Sequence, residues 1–197
     1  MGLVAHQAHA KIMNITQMLN KAILLSAGGV LMLSGALANA SYIEKCLRNE
    51  QPDRHCAQIQ ANMERWTESI NEAADKVGID PLLLKAVVGI ESHFNANAHS
   101  RSGPVGLVQI LPGTASKLGF SKEQLKNPEM NLEAGATYLK VQEAQFHDNY
   151  LAVVAYNLGG RTTSPNKRAQ HHAHAYAKEV MSLFDYFQSQ GNSYPAN

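Results

Sequence analysis

The sequence predicts a mainly α-helical single domain, on three observations. Apolar residues recur at helical spacing through most of the chain after residue 61. Helix start and stop signals punctuate that pattern at Gly78, Asp80-Pro81, Asn127-Pro128 and Gly159-Gly160. No alternation of period two lasts long enough for a sheet, which leaves room only for a short β-hairpin near Val105 to Ile110.

The elements follow in order. Met63, Trp66, Ile70, Ala73, Ala74 and Val77 define an amphipathic helix from Asn62 to Val77, stopped by Gly78. Asp80 then caps a helix whose first turn holds Pro81. Its body, Leu82 to Ile90, is apolar nearly all round, the mark of a buried central helix, and Glu91 stands at its end. From Ser92 to Gly113 the composition is that of an ordered loop. Short helices are expected over Thr114–Leu118 and Ser121–Lys126, and a long one from Glu129 to about Phe146. Asn149 is the expected cap of a helix over Tyr150–Asn157. A last helix carries Tyr176, Val180, Leu183, Phe184 and Phe187 on one face.

The first 40 residues read as an address. Lys11 and Lys21 are their only charges, an apolar stretch runs from Ala22 to Leu33, and Ala38-Asn39-Ala40 forms a small-x-small cut before Ser41. The alternative, an uncleaved anchor, needs about 20 mostly apolar residues, whereas this stretch is short and diluted by glycine and serine. The expected organisation is a cleaved export signal over 1–40, an N-terminal segment with the first helix over 41–78, a catalytic region of the same domain over 79–188, and a flexible tail over 189–197. The expected location is the periplasm, with no stable membrane anchor after cleavage. Without the two lysines the formal charge falls from +1 to −1. A near-neutral chain gives no general argument for nucleic acid or an anionic membrane. In an oxidising compartment the two cysteines, Cys46 and Cys56, are expected to form one disulfide.

Glu91 shares a helix face with Leu84, Val87 and Val88. Loss of solvation beside those aliphatics, and the negative end of the helix dipole, both favour the protonated carboxyl that a general acid requires. The bland alternatives are a solvated glutamate or half of an ion pair, with His93, His99 and Arg101 as opposing cations if they point inward. His171, His172 and His174 sit together on the last helix, but no neighbouring carboxylate or cysteine completes a metal site, so solvated surface is expected. Neither metal nor cofactor is called for.

The blocks around Glu91 carry a resemblance. Glu91-Ser92 at a helix end is followed by Ser100 and Gly103, then Gly106-Leu107-Val108-Gln109-Ile110-Leu111-Pro112-Gly113-Thr114-Ala115. Asn127-Pro128, Asn131-Leu132, Gly135, Tyr138-Leu139 and Ala155-Tyr156-Asn157-Leu158-Gly159 come after, in the same order. Over about Ile79 to Met181 the chain resembles the soluble, lysozyme-like (SLT) lytic transglycosylases. The resemblance implies a lysozyme-like fold and peptidoglycan glycan strands as substrate, cut between N-acetylmuramic acid and N-acetylglucosamine with formation of a 1,6-anhydro product. It implies Glu91 as sole catalytic acid/base, with Ser100, Gln109, Tyr156 and Asn157 contacting sugar or the catalytic group, and the Tyr156 hydroxyl reaching Glu91. Without the blocks, Tyr156 reads as a core tyrosine and Gln109 as a pin for loop backbone. Val108, Pro104, Ala96 and Gly160-Arg161 depart from the usual residues and bear on how sugars fit. The small size resembles the specialised members that open the wall for secretion, pilus or conjugation systems, whose components would be partners. A muramidase on the same fold and a non-catalytic glycan-binding assembly protein are the competing expectations.

Overall fold

A computed structural model describes residues 41–100 and 103–190. The expected export signal, Arg101 and the tail beyond 190 lie outside the described residues. Seven helices and one 3₁₀ turn make up the described chain: α1 Tyr42–Leu47, α2 Arg54–Val77, α3 Pro81–Ser92, α4 Pro112–Lys117, the turn Gln124–Lys126, α5 Pro128–Phe146, α6 Asn149–Asn157 and α7 Lys167–Ser189.

Short polar side chains start most of these helices. Asp80 accepts from the Leu82 amide at 2.8 Å, Asn127 from Met130 at 2.9 Å, and Asp148 from Leu151 at 2.7 Å. Asp148 therefore takes the capping role expected of its neighbour Asn149, which becomes the first helical residue. α2 begins eight residues before the expected Asn62, where Asp53 accepts from the Cys56 amide at 2.7 Å. Its first turns are too polar to show a period, yet Cys56 and Ile59 point into the core. Gly78 ends the helix in the left-handed region at φ 67°.

α3 is the buried axis of the domain, with Leu83 through Gly89 all inaccessible or nearly so. It packs chiefly on α7 and also on α2, while α5 packs on α6 and α2. Gly89 permits a close approach of α7 to α3, because a Cβ there would stand 2.7 Å from Leu183 Cδ2 and 3.1 Å from Ile43 Cδ1. The N-terminal segment is tied in three ways: the Cys46–Cys56 disulfide joins α1 to α2, Ser182 donates to Glu44 Oε2 at 2.9 Å, and the Tyr186 hydroxyl donates to the Leu47 carbonyl at 3.2 Å. Buried Glu44 also holds Arg48 at 2.7 Å, so its charge is paired.

The expected hairpin reduces to two isolated bridges, His99 with Val105 and Val105 with Ile110. The expected helix over Ser121–Lys126 is only the 3₁₀ turn. α7 extends through Ser189, the residue at which the tail was expected to begin. Among the described residues no helix is long and apolar enough to cross a membrane.

Candidate active site

Glu91 lies in the last turn of α3, followed by two residues in the left-handed region, His93 at φ 52° and Phe94 at φ 60°. That reversal buries the Phe94 ring completely and turns the chain away. The half-buried Glu91 carboxyl is left at the junction of two cavities. One, of about 390 Å³, is lined by Ser100, Gln109, Leu111, Tyr138, Tyr156 and Gly159 among others. The other, of about 320 Å³, is lined by Ile90, Ala175, Tyr176 and Glu179. Glu91, Asn157 and His172 line both, so a chain-like ligand crossing from one to the other would pass over the carboxyl.

Burial pushes the Glu91 carboxyl up to about 7, against a smaller downward pull from the Tyr176 hydroxyl, which donates to Oε1 at 2.7 Å. Among the described residues neither a histidine nor a second carboxylate is among the causes of that shift. A carboxyl poised there is part protonated near neutral pH, able to give a proton and then take one back. The adjacent charge and burial in turn push the Tyr176 hydroxyl well above its ordinary value, burial being the larger cause. It therefore serves as a fixed donor.

All four expected sugar-contacting residues line the first cavity: Ser100, Gln109, Tyr156 and Asn157. The hydroxyl expected to reach Glu91 belongs to a different residue. Tyr156 donates to the Val108 carbonyl at 2.9 Å, inside the protein, and Tyr176 from α7 makes the bond to the acid. Tyr156 thus holds the loop and lines the cavity, with Tyr138 tilted against it at 5.0 Å between centroids. Gln109, at φ 45°, donates through Nε2 to the carbonyls of Ala98 at 3.0 Å and Gly106 at 2.9 Å. Its amide nitrogen pins the loop, which leaves the amide oxygen as its offer to a ligand hydroxyl.

The loop's main brace escaped the sequence reading as a functional residue. Asn131, fully buried in α5, accepts from the Val108 amide at 3.1 Å and donates to the Val105 carbonyl at 3.0 Å. Gly106, at φ 76°, lies over it so closely that a Cβ would stand 2.5 Å from the Asn131 amide. His172, expected only as solvated surface, is exposed and also forms a wall of both cavities. His174 instead engages Tyr150 and Gln170 through its two ring nitrogens. Among the described residues no group of three or more His, Cys, Asp or Glu could hold a metal ion.

Residues 68–179 match the family described as the transglycosylase SLT domain. The chain is 32% identical to the endo-type membrane-bound lytic murein transglycosylase A of Klebsiella pneumoniae subsp. pneumoniae, covering 71% of this chain and 75% of that one. A relative of the same name from Klebsiella pneumoniae strain 342 is also 32% identical, over 58% of this chain and 57% of its own. Among solved structures, an inactive mutant of the lytic transglycosylase Slt from Pseudomonas aeruginosa superimposes with a TM-score of 0.52 at 27% identity, over 62% of this chain and 24% of its own. The 70 kDa soluble lytic transglycosylase of Escherichia coli does so with a TM-score of 0.53 at 25% identity, over 61% of this chain and 24% of its own. The chain thus spans about a quarter of those two larger proteins. With more than half of its length inside the matched family, and a relative aligned over most of both chains, this protein belongs to the transglycosylase SLT domain family.

Proposed function

We propose that this chain is a lytic transglycosylase acting on peptidoglycan, with Glu91 as its one acid and base. The observation that carries the reading is the Glu91 carboxyl itself, held near 7 at the junction of two cavities, with no second carboxylate of the described residues among the causes of its shift. Glycosidases that hydrolyse usually place two carboxylates across the bond, at about 5 Å or more. A single carboxyl suffices if the sugar supplies its own nucleophiles. Protonated Glu91 gives its proton to the oxygen joining muramic acid C1 to the next glucosamine. As that bond breaks, the muramic acid acetamido oxygen bonds to C1. Glu91, now ionised, takes the proton from the 6-hydroxyl, whose oxygen attacks C1 and displaces the acetamido oxygen. The ring closes as a 1,6-anhydro sugar, and no water enters.

In this reading Tyr176 fixes the carboxyl, while Gln109, Ser100, Asn157 and the Tyr156 ring orient the sugar. Glu91→Gln keeps the size and loses the proton, so strand binding persists and turnover falls by at least about a thousandfold, from the general-acid and base contributions together. Wild-type activity in that variant would refute the assignment.

The rival reading is hydrolysis, and one observation favours considering it: Glu179 lines the second cavity. That residue is exposed and is not among the causes of the Glu91 shift. Product mass separates the two reactions, since the anhydro end is lighter by one water. A reducing end would mean a muramidase.

Export to the periplasm is supported by the order of charge, apolar run and small residues in 1–40. Mass measurement of the protein recovered from a periplasmic extract tests it, with an N-terminus at Ser41 expected. A role in local wall opening for a secretion, pilus or conjugation system is supported by the family likeness alone. A gene neighbourhood without any envelope-spanning apparatus would count against it.

A further inference from the structure

Among the described residues one buried side-chain polar atom has no hydrogen-bond partner, the amide oxygen of Gln142. Gln142 lies on α5, one turn after Tyr138, and is only 2% exposed. Its amide nitrogen donates to the Tyr138 carbonyl at 3.4 Å, so the oxygen is the unspent end of the side chain. A buried acceptor without a partner destabilises a fold, and an aliphatic side chain of the same size would avoid that cost. A local rule broken in an otherwise satisfied interior points to use.

The surroundings of the oxygen show what that use is. A Cβ at Gly160 would stand 3.6 Å from Gln142 Oε1 and 3.9 Å from the Tyr138 hydroxyl oxygen. The two polar atoms therefore face one spot beside the turn after α6, and glycine at 160, with φ 86°, keeps that spot open. Tyr138 and the adjoining Gly159 both line the first cavity, so the spot lies directly behind its wall. Burial pushes the Tyr138 hydroxyl up, which keeps its proton in place. A tyrosine hydroxyl can donate or accept, and its proton rotates to the better acceptor. We infer that Gln142 is a positioning residue, whose amide oxygen draws the Tyr138 hydroxyl proton inward and leaves the tyrosine lone pairs facing the cleft. Tyr138 then selects a hydroxyl or amide N–H of the glycan, a group that donates rather than accepts. This deepens the glycan reading of the first cavity and rests on it.

The test is a double-mutant cycle on turnover of a soluble, peptide-free fragment of alternating N-acetylglucosamine and N-acetylmuramic acid. Gln142→Met keeps the volume and removes the acceptor. KM is expected to rise about three- to tenfold, the worth of one hydrogen bond, while kcat changes by less than about twofold. Tyr138→Phe should raise KM at least as far, and adding Gln142→Met to it should raise KM no further. Dissociation constants measured in the Glu91→Gln background should follow KM. The urea midpoint of Gln142→Met should rise, because the unpaired acceptor is gone. Gln142→Leu is read by the same cycle if the methionine variant does not fold. An unchanged KM in Gln142→Met, or a rise that persists in full beside Tyr138→Phe, overturns the positioning role alone. So does a lower midpoint with kcat and KM worsening together, the mark of a merely structural side chain. If the wild type does not cleave the fragment and the Glu91→Gln protein does not bind it, the glycan reading falls and the positioning role with it.

Discussion

The ionisation of Glu91 sets two measurable behaviours at the level of a single residue. A general acid must be protonated at the start of turnover, so kcat/KM should fall as pH rises through about 7. The hydrogen bond from Tyr176 favours the charged form, and Tyr176→Phe removes it. The falling limb of the pH profile should then move to higher pH. An unmoved limb with simply lower activity would make Tyr176 structural only. Stability must show the same shift with the sign set by linkage. The folded carboxyl binds its proton more tightly than the unfolded one, so stability contributed by the neutral form is present below 4.5 and lost as pH rises through about 7. Glu91→Gln cannot ionise and escapes that loss. The variant should match the wild type near pH 4 and exceed it at pH 8 by up to about 3 kcal/mol in urea unfolding.

At the level of the element, the loop between α3 and α4 depends on a side chain from α5. Asn131→Ala strands the Val108 amide and the Val105 carbonyl in the interior, at a cost of roughly 2 kcal/mol. It should also lower kcat/KM by about tenfold or more, because Gln109 and the carbonyl that anchors Tyr156 move with Val108. Denaturant unfolding and a turnover assay together check this, and loss of stability with intact turnover would separate loop from chemistry. The same element shows why the sequence is only partly readable. Glu91 is visible because its helix is apolar around it and a local pattern places it at the end. Tyr176 is visible only as one more residue on an apolar face, since its partner lies 85 positions away and nothing local points to it. His172 reads as solvated surface, because nothing local shows that two cavities open beside it. α1 is too short for a period to emerge, and Asp148 beside Asn149 offers two good caps one residue apart. The loop composition announces order without saying that Asn131 imposes it.

At the level of the molecule, the N-terminal segment is held by one covalent link and by polar ties to α7. Replacing both Cys46 and Cys56 with serine should cost about 2–4 kcal/mol, with a lower Tm read by calorimetry. The cleft lies on the other elements and should keep its pH profile. A shift of that profile would mean that α1 and the start of α2 support Glu91.

The acid and the tyrosine that holds it, on the last helix, lie 85 positions apart along the chain. With α7 undocked, water would reach Glu91 and its acidity would return to that of any surface glutamate. Such a chain has almost no proton to donate at neutral pH. Assembly of the last helix therefore arms the enzyme, and an unfinished or loosened molecule is harmless to the polymer it meets.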